Sequence, residues 1–257
     1  MASTGGSEGG SEGGALGELT LDAFLGGRLR LLQPVRGFRA GTDALLLAAA
    51  VPARPGEAAL ELGCGAGAAI LALGARVPGL GLAGLEIQPA YAALARENAR
   101  RNALALDVLE GDVAAPPSGL SGRAFDHVLV NPPFFDREAT TRAADPGRDL
   151  AHGGAAPLPA WLGLGARRLR PGGTLALVQR VARLPAVLAA LPATMGSVEV
   201  LPLAPREGTE PATLLLRARK GGRAPFRLRA ALAVHEGRGF APAVEAALRD
   251  GAALPWN

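Results

Sequence analysis

The stretch that decides the fold is Ala58-Ala59-Leu60-Glu61-Leu62-Gly63-Cys64-Gly65-Ala66-Gly67. Its first half is apolar except for Glu61 and has the length of a buried strand. Three glycines follow at alternate positions, and residues 68–77 then have the pattern of a helix. Glycines at a strand-to-helix turn let the backbone approach a ligand closely, at the positive end of the helix dipole. The stretch therefore predicts a ligand-binding turn in an α/β domain.

The rest of the chain repeats the order of strand and helix. Further strands are predicted over residues 80–85, 106–109, 125–130, 174–178, 198–201 and 213–218, and further helices over residues 43–50, 89–102, 158–169, 184–191 and 242–249. Thr42 is expected to cap the first of these helices, and Pro171-Gly172-Gly173 to follow the end of the helix 158–169. A strand pair is expected in residues 21–34 and one more strand after Pro225. The predicted fold class is α/β and Rossmann-like, a mostly parallel sheet with helices on both faces.

Length and composition indicate one globular domain. The 257 residues are 49% hydrophobic and 19% charged, which suits a single α/β domain with a sizeable core. Residues 1–19 begin with a Gly/Ser/Glu-rich run that buries almost nothing, so we expect a disordered tail. Residues 20–257 form the predicted domain, and residues 20–55 are an N-terminal extension to it.

Several classes of protein are disfavoured by composition. No apolar stretch approaches the length that crosses a bilayer, and the N-terminus lacks a basic and apolar secretion signal. Cys64 is the one cysteine, which excludes intrachain disulfides, and with three scattered histidines it argues against structural zinc. We therefore expect a cytoplasmic protein with no membrane partner and no metal.

A second acid follows the glycine loop at the distance that nucleotide-binding folds use. Glu86 comes 25 residues after Glu61, at the end of the second predicted strand, where it can accept hydrogen bonds from ribose hydroxyls. Dinucleotide sites prefer Gly-x-Gly-x-x-Gly, whereas here the glycines alternate directly after Glu61-Leu62. This spacing favours S-adenosylmethionine (SAM). Asp112, after the third strand, is placed to accept a bond from the adenine amino group, with a simple turn acid as the alternative.

A proline-rich tetrad supplies the second candidate site. Asn131-Pro132-Pro133-Phe134 follows the predicted strand 125–130, at the strand end where open α/β sheets bind ligands. Two prolines remove backbone donors and stiffen the turn, so its carbonyls face outward. An amide oxygen, a fixed carbonyl and an aromatic face make a receptor for a planar group that carries an NH2. A proline-rich surface turn with a chance Asn is the alternative.

The order of these motifs resembles class I SAM-dependent methyltransferases over about residues 20–220. The resemblance implies SAM as cofactor and a seven-stranded sheet whose last strand is antiparallel. It also implies methylation of an exocyclic or amide nitrogen, because the tetrad Asn-Pro-Pro-Phe belongs to such enzymes. The expected catalytic residues are Asn131, Pro132, Pro133 and Phe134. The expected cofactor contacts are Glu61, Gly63, Cys64, Gly65, Gly67, Glu86, Ile87, Asp112, Val113 and Asn131, with packing as the favoured role of the Cys64 side chain.

A finer resemblance lies in residues 28–34 and 38–47. Both segments are similar to the bacterial tRNA(Val) (adenine-N6)-methyltransferases, which modify the adenine 3′ of the anticodon, and residues 151–153 and 234–236 also fit that group. The resemblance implies that residues 20–55 cover the cofactor site, with Thr42 and Asp43 near the methionine end of SAM. Guanine-N2 methylation of rRNA, glutamine methylation of a protein, and a non-catalytic RNA-binding role remain alternatives.

The charge distribution fits an RNA partner. Residues 1–22 hold four acids and no base, so the remainder has 27 bases against 19 acids, a net charge of +8. Six bases and no acid lie between Pro211 and His235, a stretch that can attract a phosphate backbone or form a solvated strand face. With tRNA as the expected partner, the expected RNA contacts are Arg28, Arg30, Arg39, Arg219, Lys220 and Arg223.

Overall fold

The structure is a computed structural model that describes residues 16–132 and 156–256. Strands β1 to β13 span Leu19–Phe24, Leu29–Pro34, Ala58–Leu62, Gly81–Glu86, Leu106–Glu110, Phe125–Val130, Leu169–Arg180, Met195–Ala204, Thr213–Lys220, Arg227–Leu228, Leu232–Ala233, His235–Glu236 and Gly239–Phe240. Helices α1 to α6 span Thr42–Ala50, Ala68–Arg76, Pro89–Arg101, Leu158–Arg168, Leu184–Ala190 and Pro242–Asp250. Strands and helices therefore alternate through the central part of the chain.

One large sheet organises the domain, with the strand order β10-β8-β9-β7-β6-β3-β4-β5. Strand β9 is antiparallel to both of its neighbours, β7 and β8, and the other pairs are parallel. The seven longer strands confirm the expected mostly parallel sheet with one antiparallel strand. The two-residue strands β10 and β11 both pair with β8 and extend that edge. The fold class is α/β and Rossmann-like.

The side chains of each strand alternate between two buried layers. Leu60 and Leu62 point into one layer with helices α4 and α5, whereas Ala59 packs in the other with α1, α2, α3 and α6. Glu61 stands on the same face as Ala59, so its carboxyl group is directed towards α2 rather than towards α4. This alternation places the acid of the glycine-rich stretch beneath the loop that follows it.

Three local expectations were wrong. Gly41, not Thr42, occupies the position before α1, and no side chain caps that helix. Helix α4 ends at Arg168, and Pro171-Gly172-Gly173 lies inside β7 rather than in a turn before it. The pairing of β7 with β6 shifts there and becomes regular from Thr174, which is how the sheet accommodates a proline near the start of a strand. The segment after Pro225 forms four two-residue strands instead of one strand: β10 and β11 pair with β8 at two separated points, and β12 pairs with β13.

Candidate active site

The glycine-rich loop between β3 and α2 is built on left-handed backbone. Gly63, Gly65 and Gly67 have φ values of +65°, +53° and +86°, a region that costs other residues strain. At Gly63 space is also missing, because an added Cβ would lie 2.6 Å from the ring of Trp161. The spacing of the glycines is therefore required by the conformation of the turn.

Glu61 fixes the start of the helix that follows this loop. Its carboxylate accepts the backbone N–H of Ile70, in the first turn of α2, at 2.9 Å. The side chain is 3% exposed, and burial raises its pKa to about 8, with the charge of Glu86 acting in the same direction. Glu61, which we expected to contact the cofactor, thus also holds the first turn of α2, a role that the sequence did not reveal. The same residue lines the cavity described below.

Glu86 ties the end of β4 to the same loop. One of its oxygens accepts the N–H of Gly65 at 2.8 Å and the other accepts the N–H of Gln88 at 2.9 Å. Burial raises the pKa of Glu86, while the backbone hydrogen bonds, including one from Ile87, oppose that rise. A carboxylate has about four acceptor positions, so acceptor capacity remains for a ribose hydroxyl.

A cavity joins the glycine loop to the tetrad and to the N-terminal extension. It is lined by Phe38, Ala40, Ala44, Glu61, Gly63, Cys64, Ala66, Ala68, Ala69 and Asn131. Two groups of residues that are far apart in the sequence, the loop after β3 and Asn131 after β6, therefore share one cavity. The parallel pairing of β3 with β6 explains why they meet, because Leu62 lies opposite Val130 and both strands end at the same edge of the sheet.

Asn131 and Pro132 are the part of the tetrad that the structure describes. Asn131 is partly exposed at the cavity, and Pro132 is buried. Pro133 and Phe134 lie outside the described residues, as does His152. The amide group of Asn131 therefore has access to a ligand in the cavity.

The Cys64 side chain packs against β4. An added Cβ on Gly84 would lie 2.6 Å from the Cys64 sulfur, so the absence of a side chain there makes room for the thiol. Burial raises the pKa of Cys64 well above its usual value, and the neighbouring carboxylates of Glu61 and Glu86 add to this. A thiol in this setting stays protonated and is a poor nucleophile.

Three further expected cofactor contacts, Ile87, Asp112 and Val113, follow the ends of β4 and β5. Ile87 is 48% exposed although it is a large apolar residue, whereas Val113 is buried. The Asp112 carboxylate accepts the N–H of Ala114 at 2.8 Å, which is the bond of a local turn. The structure therefore gives Asp112 its alternative role as a turn acid and leaves its contact with adenine a prediction.

Buried polar side chains hold the N-terminal extension over the glycine loop. Asn98 of α3 is fully buried, accepts the N–H of Leu32 at 2.7 Å, and donates to the carbonyls of Leu32 and Ala66. The Tyr91 hydroxyl lies 3.0 Å from both the N–H and the carbonyl of Phe38. None of these residues was identified from the sequence, since Asn and Tyr in an amphipathic helix carry no pattern that marks such bridges.

The residues expected near the methionine end of SAM occupy the first turn of α1. Thr42 is exposed, and Asp43 is partly buried. Burial raises the pKa of Asp43, while the positive charge of Arg180 opposes this. Ala44, one residue further on, lines the cavity. Their contact with the cofactor remains a prediction.

The expected RNA contacts are mostly held by the protein itself. Arg39 pairs with Asp22 at 2.5 Å, and Arg28 reaches the carbonyl of Leu25 at 3.2 Å. Arg219 donates to the carbonyl of Gly172 at 2.9 Å, and Lys220 donates to the carbonyl of Leu169 at 2.7 Å. The two remaining expected contacts, Arg30 and Arg223, are exposed.

In residues 16–132 and 156–256, every helix is too short or too polar to span a lipid bilayer. The same part of the chain holds no cluster of three or more His, Cys, Asp or Glu residues suited to a metal ion.

Comparisons with known proteins show the family of the chain. Residues 38–203 match the family described as methyltransferase small domain. The chain is 31% identical over 166 residues to the tRNA1(Val) (adenine(37)-N6)-methyltransferase of Porphyromonas gingivalis, covering 61% of this chain and 64% of that protein. It is 35% identical over 130 residues to the release factor glutamine methyltransferase of Moorella thermoacetica, covering 46% and 44%. The chain thus spans less than two thirds of the length of either relative.

The solved structures include a crystal structure of a predicted O-methyltransferase from Agrobacterium tumefaciens. It is 29% identical, with a TM-score of 0.68, and the match covers 83% of this chain and 98% of that one. The family match covers more than half of the chain, so the chain belongs to the methyltransferase small domain family, and the glycine loop and Glu86 at the end of β4 are consistent with a SAM site in that family.

Proposed function

We propose that this enzyme methylates the exocyclic N6 of an adenine in tRNA, the adenine 3′ of the anticodon of tRNA(Val). The observation that carries the proposal is the position of Asn131 in the same cavity as Glu61 and Gly63. Asn131 therefore lies beside the glycine loop, which we expect to bind SAM. The tRNA1(Val) methyltransferase among the relatives supports the choice of adenine N6.

The residues present fit SAM. The left-handed glycine turn at the start of α2 allows close approach of a ligand, and Glu86 keeps acceptor capacity for a ribose hydroxyl. Exposed Ile87, directly after Glu86, offers an apolar surface for the adenine ring of the cofactor. SAM, when bound, supplies an electrophilic methyl group on its sulfonium.

Asn131 and Pro132 would act on the nucleophile. An aromatic NH2 is weakly nucleophilic because its lone pair is delocalised into the ring. The Asn131 amide oxygen and the Pro132 carbonyl can accept its two N–H groups, which favours a pyramidal nitrogen whose lone pair is free. The same acceptors stabilise the positive charge that develops on nitrogen, and the rigid turn holds them in position beforehand. The methylated nitrogen then loses its proton to water, so no strong general base is needed.

Two acceptors suit an amine better than a hydroxyl. An NH2 has two hydrogens to donate, whereas a hydroxyl has one, which would leave one acceptor of the pair unused. Stacking of Phe134 on the target base, once the base has left the anticodon loop stack, completes the proposal. A tRNA substrate also fits the cytoplasmic location that the sequence predicts.

Glutamine methylation in a protein is the second candidate, favoured by the similarity to a release factor glutamine methyltransferase. A glutamine amide also presents an NH2 group to the same two acceptors, so the chemistry around Asn131 does not separate the two substrates. The basic composition of residues 211–235 favours the nucleic acid.

The test of the proposal is an Asn131→Ala variant assayed with SAM and an unmodified tRNA(Val) transcript. Turnover should fall by about a hundredfold or more, since removing one such preorganised group commonly costs that much. SAM affinity, measured by calorimetry, should stay within about threefold, because the amide acts on the nucleophile. Methylation at a rate near that of the wild type would reduce Asn131 to a turn residue and contradict the proposal.

A further inference from the structure

The outer edge of the sheet carries a run of exposed residues that the active site does not use. Residues 223–228 are all exposed, and they lead into and form β10, the outermost strand in the sheet order. The run contains Arg223 and Arg227 together with two large apolar side chains, Phe226 at 50% and Leu228 at 62% exposure. We call these four residues the β10 patch.

Two neighbouring arginines are not part of the β10 patch, because other residues of the protein bind their side chains. Arg217 and Arg229 both pair with Glu199 at 2.8 Å, and Arg217 stacks on the ring of Trp256 at 3.7 Å. Arg227 reaches the same carboxylate only at 4.0 Å and is 57% exposed. Three arginines therefore share a single carboxylate, so among the residues that the structure describes this edge keeps an excess of positive charge.

From this arrangement we infer that the β10 patch binds the RNA substrate outside the active site. Arg223 and Arg227 would contact backbone phosphates, and the Phe226 ring would stack on an unpaired base. The inference rests on the proposed function and extends it by naming a second contact surface. Exposed aromatic rings between arginines are the combination by which proteins hold single-stranded RNA.

A protein partner fits the β10 patch less well. A polypeptide that added a strand to this edge would need a long unpaired strand with free backbone donors. Strand β10 has only two residues, and Pro225 before it has no N–H. Arg223 and Arg227 of the patch repel another basic polypeptide. These are features that prevent edge-to-edge pairing of sheets. They leave side-chain contacts with a polyanion unhindered.

The geometry allows one RNA to occupy both sites. Four strand spacings separate β6, which precedes Asn131, from β10, and at about 4.8 Å each they amount to roughly 19 Å. Along the strands, Arg227 lies level with Glu199, Arg217, Ala176 and Leu129, only two residues before Asn131. A stacked strand of about six nucleotides covers this distance at roughly 3.4 Å per nucleotide.

The experiment measures binding of an unmodified tRNA(Val) transcript over a range of KCl concentrations. Arg223→Glu/Arg227→Glu should weaken binding at least tenfold at 0.1 M salt. It should also make the log–log salt dependence shallower by about 1.4–1.8, because two phosphate contacts are lost. Phe226→Ala should weaken binding about fivefold or more without changing the slope, because stacking releases no counterions. A control variant, Arg54→Glu/Arg100→Glu, changes the net charge by the same amount at positions that lie outside the patch.

The control should stay within about twofold of the wild type in both affinity and slope. Equal effects of the patch variant and the control would overturn the inference, since net charge alone would then explain the binding. The inference would also be wrong if the patch variant bound tRNA normally but no longer methylated a protein substrate, because the β10 patch would then bind a protein and not RNA. Failure of the proposed function gives a different result: the wild-type enzyme then forms no N6-methyladenosine. If the wild type forms N6-methyladenosine and the patch variant has the same KM for tRNA as the wild type, the inference about the β10 patch is wrong and the proposed function stands.

Discussion

The buried carboxyl group of Glu61 should make the protein less stable as the pH rises. In the folded state the pKa is about 8, against an ordinary value of 4.5, because the side chain is almost completely removed from water. Between these two pH values the folded state binds a proton that the unfolded state has lost. Stability therefore falls as pH rises through this window, and the contribution is fully present only below about pH 4.5.

The size of the effect follows from the difference between the two pKa values. The difference is about 3.5, and each pKa unit corresponds to about 1.36 kcal/mol, which gives about 5 kcal/mol between pH 4.5 and pH 8. Glu61→Gln removes the titration but keeps an amide oxygen that can accept the N–H of Ile70. The variant should therefore resemble the wild type near pH 4.5 and exceed its stability by several kcal/mol at pH 9.

Urea denaturation of the SAM-free protein at several pH values between 4.5 and 9 measures this difference. The relevant quantity is the free energy of unfolding of Glu61→Gln minus that of the wild type, in which groups unaffected by the substitution cancel. Glu245→Gln serves as the control, because the side chain of that glutamate is about half exposed (47%) and pairs with Arg249 at the surface. A constant difference between Glu61→Gln and the wild type across the pH range would refute the reasoning.

Two further predictions concern Glu86 and the glycine loop. Glu86→Ala should weaken SAM binding by roughly tenfold to a hundredfold, since charge-assisted hydrogen bonds of this kind are worth about 1.5–3 kcal/mol; unchanged affinity in calorimetry of a folded variant would rule out the ribose contact. Gly63→Ala should lower the free energy of unfolding by more than the roughly 1–2 kcal/mol that a left-handed φ costs, because its Cβ also meets Trp161. Gly122→Ala is the matched control, with a φ of +73° and open space around it, and equal losses for the two variants would mean that Trp161 moves aside freely.

Much of the fold could be predicted from the sequence because its signals are local. The alternation of apolar runs with helical periods gave β3 and β6 with the bounds that the structure has, Ala58–Leu62 and Phe125–Val130. The predictions failed where tertiary contacts override a local pattern. Pro171-Gly172-Gly173 has the composition of a turn, but the neighbouring strand β6 incorporates it into an irregular start of β7.

The candidate site was predictable only in part. The glycine loop, Glu86 and Asn131 stand next to recognisable strand ends, so their meeting at one edge of the sheet follows from parallel pairing. The bridges from Asn98 and Tyr91 to the N-terminal extension could not be foreseen, since each joins a helix residue to a residue more than 50 positions away. The exposed arginines at β10 could not be distinguished from the more buried, closely paired Arg217 and Arg229 either, because the position of Glu199 opposite Arg217 depends on strand register.

Mass spectrometry of nucleosides tests the central claim most directly. Purified enzyme, SAM labelled on the methyl group and unmodified tRNA(Val) are incubated together, and the RNA is then digested to nucleosides. The proposed function predicts labelled N6-methyladenosine from the adenosine 3′ of the anticodon, and loss of the label when that position is replaced by guanosine. Labelled N2-methylguanosine, or label in a release factor protein with none in the RNA, would contradict the proposed substrate.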